Sequence, residues 1–319
     1  MGKLRFFILV VLFASVGCRQ PLHTAPSKRE TNSFKSGEGA LLLTRFKSLE
    51  DLKKVIQIQY GVTVPFSTGA LTPQPYVRLT HSCGEREVTS ILKTGVNESD
   101  FLRARNGNVW DKILLLLKSP FAVWNKRDLM IIESLGRKRP PLFGKGDVAF
   151  FDVAAAMVYN ISDDDVKSMS SEDFSEKGYL NTFNHITAQA IMTSIFSEEV
   201  ADFVADVHER NRLPELITGT FNEDELTDVE NGPVDNYIDL INNEWGQELG
   251  KILRIKFGIS HHSIWTPQLL ADYLNEVQSY YSWSFQIAFK PFRATDEIVI
   301  QLASKINIVL VDVPEIKKS

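Results

Sequence analysis

The sequence predicts a mainly α-helical protein, an irregular multi-helix bundle with few short strands. Three observations carry this expectation. Apolar residues recur at helical spacing in most segments beyond residue 40, Ser, Thr and Pro stand where those segments begin, and alternating apolar and polar runs are scarce.

The chain opens with Lys3 and Arg5, an apolar run from Phe6 to Val16 and Gly17. Residues 1–17 read as a signal peptide, because a bilayer-spanning helix needs about 20 apolar residues. Ser15-Val16-Gly17-Cys18 resembles the lipobox of bacterial lipoproteins, although that pattern has Leu where Ser15 stands. The resemblance implies lipidation of Cys18 and attachment of the protein to the membrane through that lipid. With Arg19 next, it implies the outer membrane in a two-membrane cell. Cleavage after Gly17 without lipidation gives a secreted protein instead. With Cys18 lipidated or removed, Cys83 is the one remaining thiol, which cannot form an intramolecular disulfide and reads as a small buried hydrophobe.

Residues 18–39 carry the anchor and a Ser-, Thr-, Lys- and Pro-rich tether that cannot bury enough apolar surface to order itself. Residues 40–319 are expected to form a single helical domain, for which 44% hydrophobic and 24% charged residues is an ordinary globular composition. Loss of Lys3 and Arg5 moves the formal charge from −5 to −7. An acidic body of this kind argues against nucleic acid as a partner.

Ser48 to Tyr60 has a Ser cap, acidic residues in its first turn and Leu49, Leu52, Val55, Ile56 and Tyr60 at helical spacing, which predicts an amphipathic helix. Val62 to Gln74 reads as irregular, and Tyr76 to Thr80 as a short strand, with room for one hairpin. Trp110 to Trp124, broken by Pro120, and Lys126 to Leu135 predict short buried helices. Arg137-Lys138-Arg139-Pro140-Pro141 reads as a solvated connector, with contact to anionic lipid head groups as the alternative. Gly144-Lys145-Gly146-Asp147 lacks the frame of a phosphate loop. Asp147 to Tyr159 predicts a packed helix, followed by an acidic surface loop over Ser162 to Lys177.

Three helices follow: about Leu180 to Phe196, a second capped by Ser197, and a third over about Asn236 to Phe257. Between the last two, Leu213 to Pro233 is an acidic loop that does not fit the calcium-loop template. His261-His262 lies in a loop after Gly258. Thr266-Pro267 starts a helix through about Ala288, and a last helix runs from about Thr295 to Leu310.

Candidate functional residues concentrate on the three central helices. Asp239, Asn242, Asn243, Gly246 and Gly250 share one face of the third, opposite Ile238, Ile241, Trp245, Leu249 and Ile252. Asp, Asn and Gly are poor helix formers, so this stripe is expected to be buried against a neighbouring helix. The side chains to satisfy it are His185, with Asn181 and Gln189, and His208 with Glu209. His185, His208 and either Glu209 or Asp239 can hold a divalent metal with a position left for water. Without metal, Glu209 or a histidine can act as general acid or base, with Asp239 fixing the tautomer and Asn242 and Asn243 positioning. A buried network that only sets helix register is the third reading.

Phe183-Asn184-His185, His208-Glu209 and Asp239-Leu240-Ile241-Asn242-Asn243-Glu244-Trp245-Gly246 resemble, in that order, the motifs of an uncharacterised bacterial domain family. The likeness covers about 178–257, and Asn184 stands where the family usually has Arg. It implies a site on these residues and no particular reaction. The expectation for function is a hydrolase acting on an envelope substrate; the alternative is a non-catalytic structural or binding lipoprotein.

Overall fold

The computed structural model describes residues 40–63 and 73–311, so residues 1–39, which the sequence reads as signal peptide, anchor and tether, lie outside the described residues. Short helix α1 (Leu49–Leu52) precedes strands β1 (Ile56–Val62), β2 (Pro75–Cys83) and β3 (Arg86–Lys93). Helices then follow as α2 (Glu98–Asn106), α3 (Val109–Lys118), α4 (Pro120–Trp124), α5 (Lys126–Gly136), α6 (Pro140–Phe143), α7 (Phe150–Tyr159) and α8 (Asp163–Val166). The remainder are α9 (Tyr179–Ile195), α10 (Glu198–Arg212), α11 (Glu223–Thr227), α12 (Pro233–Phe257), α13 (Pro267–Phe285) and α14 (Glu297–Val311). The fold is mainly helical, with one antiparallel sheet in the order β1-β2-β3.

The expected helix over Ser48 to Tyr60 is corrected to one helical turn and a strand. Ser48 does cap α1, its Oγ accepting from the Asp51 amide at 3.2 Å. From Ile56 the sequence Ile-Gln-Ile-Gln-Tyr also alternates with period two, and pairing with β2, from Ile56 opposite His81 to Val62 opposite Pro75, selects the strand. The hairpin takes the whole of β2 and β3, closed by a two-residue turn in which Gly84 has φ 63°. Cys83, at the end of β2, is only partly buried, and that burial pushes its thiol pKa up.

Helices α9 and α12 form the centre of the core, and the small residues explain how closely they approach. A Cβ on Gly246 would lie 2.8 Å from Gln189 Cβ and 2.9 Å from the Ile186 carbonyl oxygen. One on Gly250 would lie 2.7 Å from the Ala190 carbonyl oxygen. The other face of α12 buries Ile238, Ile241, Trp245 and Leu249, with the Trp245 indole N–H donating to His81 Nδ1 at 3.0 Å beside β2. On α13, Tyr281 stacks on Phe183 at 4.1 Å between ring centroids and shares a 2.8 Å hydrogen bond with Thr187.

One other expectation meets the structure only in part. Of the two segments expected to be buried, Lys126 to Leu135 is, burying Ile131, Ile132 and Leu135 on α5, but Trp110 to Trp124 is not: α3 buries no residue, and Trp110 and Trp124 are 73% and 82% exposed. The acidic run lies at the surface as expected, with exposed Asp163 paired to Lys290, exposed Asp164 to Lys167, and Asp165 accepting from Ser162 and the Ala288 amide.

Candidate functional site

Helices α9, α10 and α12 each send one ionisable side chain to the same place. His185 comes from α9 two turns inside its start, Glu209 from the last turn of α10, and Asp239 from the second turn of α12. One ligand atom of each lies within 4.8 Å of those of the other two, the one trio of this kind found among the described residues.

The imidazole of His185 is held at both nitrogens. Nδ1 lies 3.0 Å from Asn243 Oδ1, and Nε2 lies 3.1 Å from Asp239 Oδ2. Two oxygen acceptors suit a doubly protonated ring. Burial opposes that charge, but the carboxylates of Asp239 and Glu209 outweigh it and raise the pKa to about 9. The side chain of His185 keeps 12% of its surface exposed, whereas Asp239 is fully buried.

Asp239 Oδ1 accepts from Asn181 Nδ2 at 2.9 Å. Its Oδ2 sits at ion-pair distance from the ring yet lacks a well-aligned hydrogen bond. The Glu209 carboxyl is the anomaly. It is 0% exposed, and neither oxygen has a hydrogen-bond partner. Burial and then the neighbouring charge of Asp239 push its pKa well above the usual carboxylate range, against the opposing charges of His185 and Arg212. A buried carboxyl without partners costs on the order of 1–3 kcal/mol in unmade hydrogen bonds, so the arrangement calls for a ligand or a structural reason.

Of the six residues singled out by sequence, His185, Glu209, Asp239 and Asn243 converge. His208 borders them: its ring centroid is 6.4 Å from that of His185, but Nδ1 bonds Glu98 Oε1 at 2.9 Å and both side chains are 35% exposed. The hydrogen bond from His208 is the main cause that lowers the Glu98 pKa. Asn242 turns away and clamps the start of the domain, accepting from the Leu42 amide at 3.0 Å and donating to its carbonyl at 2.8 Å. His261 lies elsewhere, 3.5 Å from Asp128.

Four further charged residues belong to the site's surroundings. Asp235, one turn before Asp239, accepts from Thr44 at 2.9 Å, and burial followed by the Asp239 charge raises its pKa to about 7. Burial also raises Glu176, near enough to feel His185 and Asp239. The positive charge of Arg212 acts on Glu98, Glu176, Glu209 and Asp235. Helical spacing from Asp239 and Glu209 would have found Asp235 and Arg212. Nothing local marks Glu98, which is 110 residues from its histidine. Comparison with protein-family models, curated proteins and solved structures found no match.

Proposed function

We propose that this chain is an exported, lipid-anchored hydrolase of the cell envelope whose site is a divalent-cation centre held by His185, Glu209 and Asp239. The observation that carries the reading is Glu209, a fully buried carboxyl with two unpartnered oxygens beside an imidazole and a second carboxylate. Imidazole with two carboxylates is a donor set suited to zinc, manganese or iron, and three protein ligands leave room for water.

A bound cation would supply Lewis acidity and lower the pKa of a coordinated water. The protein residues around it have separate tasks. Asn243 orients the His185 ring through Nδ1, and Asn181 fixes Asp239 through Oδ1. His208, paired with Glu98 at the half-exposed edge, is placed to pass protons between the buried trio and solvent. Binding requires Glu209 ionised and His185 neutral, so His185 must release a proton that it otherwise holds to about pH 9. Metal affinity therefore rises with pH. The proposal of an envelope substrate such as peptidoglycan or lipid rests on the N-terminal segment, read as a signal peptide over residues 1–17 followed by Cys18.

Full burial of Glu209 and Asp239 favours a second reading, a network that fixes the register of three helices. Metal content separates the two. The purified protein is expected to retain one zinc, manganese or iron ion per chain; Glu209→Gln loses it, and His208→Ala keeps it. A wild-type chain that takes up none of these ions, and whose melting temperature none of them shifts, overturns the metal centre and assigns the trio to the register network.

A further inference from the structure

The exposed apolar surface of α3 and α4 stands apart from the site and coincides with a charge anomaly. Between residues 101 and 146 the sequence carries ten Lys or Arg against three Asp or Glu, while the rest of the chain carries 25 against 37. The whole-chain charge of −5 conceals this basic block. Within it, Trp110, Leu114 and Leu117 follow at i, i+4 and i+7 on α3, all exposed, and Trp124 projects from α4. Arg103, Lys112, Lys126, Arg137 and Lys145 are exposed in the same block, and Lys138 is paired with Asp152.

Tryptophan and leucine on a short amphipathic helix, flanked by Lys and Arg, is the composition of a helix lying in the plane of a bilayer interface. Water-exposed apolar surface of this extent on one face is itself unfavourable and marks an interaction surface. No helix among the described residues is long and apolar enough to cross a membrane, so the fitting geometry is contact along the surface. We infer that α3 and α4 form a docking surface for an anionic phospholipid bilayer, with Trp110, Leu114, Leu117 and Trp124 at the level of the head groups and the basic block over them. The positive block favours lipid over an apolar protein partner, because each Lys or Arg beside the apolar helix face is attracted by an anionic lipid surface. The docking requires no lipid on Cys18.

Tryptophan fluorescence of the full chain tests this directly. The chain has five tryptophans; Trp245 and Trp265 are buried and Trp283 is half-buried, so changes in exposure report Trp110 and Trp124. Residues 1–39 contain no tryptophan, so an N-terminal anchor gives no signal of its own. Vesicles of phosphatidylcholine and phosphatidylglycerol with brominated acyl chains are expected to quench and blue-shift this emission, and phosphatidylcholine vesicles alone are not. Paired substitution Lys112→Glu and Lys126→Glu weakens the response by a factor of at least ten, on roughly fivefold per removed charge before reversal is counted. Trp110→Ser with Leu117→Ser, both exposed and harmless to folding, abolishes the insertion while the circular dichroism is unchanged. Emission that stays unquenched on anionic vesicles carrying the bound chain overturns the inference. So does shielding of these tryptophans in lipid-free protein, either on raising its concentration, which assigns the surface to a second copy, or on adding DNA or RNA.

Discussion

Replacing Gly246 with alanine puts the central packing of the fold, and with it the site, to a direct test. In an exposed helix this change stabilises by roughly 0.5–1 kcal/mol, because alanine loses less backbone entropy than glycine. Here the new methyl would meet the Gln189 Cβ at 2.8 Å, the Ile186 carbonyl oxygen at 2.9 Å and the Ile186 Cα at 3.0 Å. Two of those three atoms are backbone of α9, which no side-chain rotation relieves. Overpacking of a tight core costs typically about 1–3 kcal/mol, so α9 and α12 must separate and the net expectation is a loss of about 1–2 kcal/mol. The separation also pulls His185 from Asp239 and Asn243, since all three lie one to two turns away on the same two helices. Urea unfolding of wild-type and Gly246→Ala chains at one pH gives the sign, and metal content gives the effect on the site. A neutral or stabilising substitution would refute the claim that glycine sets the distance between these helices.

Two further outcomes follow from the same structure. Asn242→Ala removes both hydrogen bonds to Leu42, stranding a buried amide, and is expected to cost about 1–3 kcal/mol in urea unfolding while metal content stays at the wild-type level. Loss of metal with unchanged stability would place Asn242 in the site after all. Stability of the metal-free protein should also fall as pH rises from 5 to 9. Burial raises Asp206 and Asp235 to about 7 and Glu244 to about 8, and Asp239 holds His185 up at about 9 against the effect of burial. Each group binds its proton more tightly in the folded chain, so the contribution is complete below its unfolded pKa and is lost as pH climbs through the folded one. For His185 the window is about pH 6.5 to 9 and the loss at most about 3 kcal/mol. Unfolding free energies with chelator present at pH 5, 7 and 9 that rise across this range would refute the assignment.

Helix ends were well marked in the sequence. Ser197 accepts from the Val200 amide, Thr266 caps α13 with Pro267 behind it, and α12 ends at Gly258 in the left-handed region. Such signals are local, acting within one turn. The Asp, Asn and Gly stripe was equally legible as a buried face, because only close approach of a second helix makes so many poor helix formers tolerable. Strand β1 was not legible, since Ser48 to Tyr60 satisfies a helical period and ends in an alternating one. The exposure of α3 was hidden for a related reason: an apolar run resembles a core helix until its lack of cover is known.

What the sequence determined by itself was the helical class, the three polar-bearing helices and the types of residue that meet between them. Only the tertiary structure decided which ones meet. Asn242 and Asn243 are neighbours about 100° apart around one helix, and the chain entering at Leu42 takes the first while His185 takes the second. His208 and Glu209 are likewise neighbours, yet one is drawn to Glu98 at the edge and the other is sealed inside without a partner. Periodicity is a property of a single helix, whereas the partner above each face comes from segments up to 200 residues away. Cooperation between distant segments therefore turns a list of His, Glu, Asp and Asn into a site.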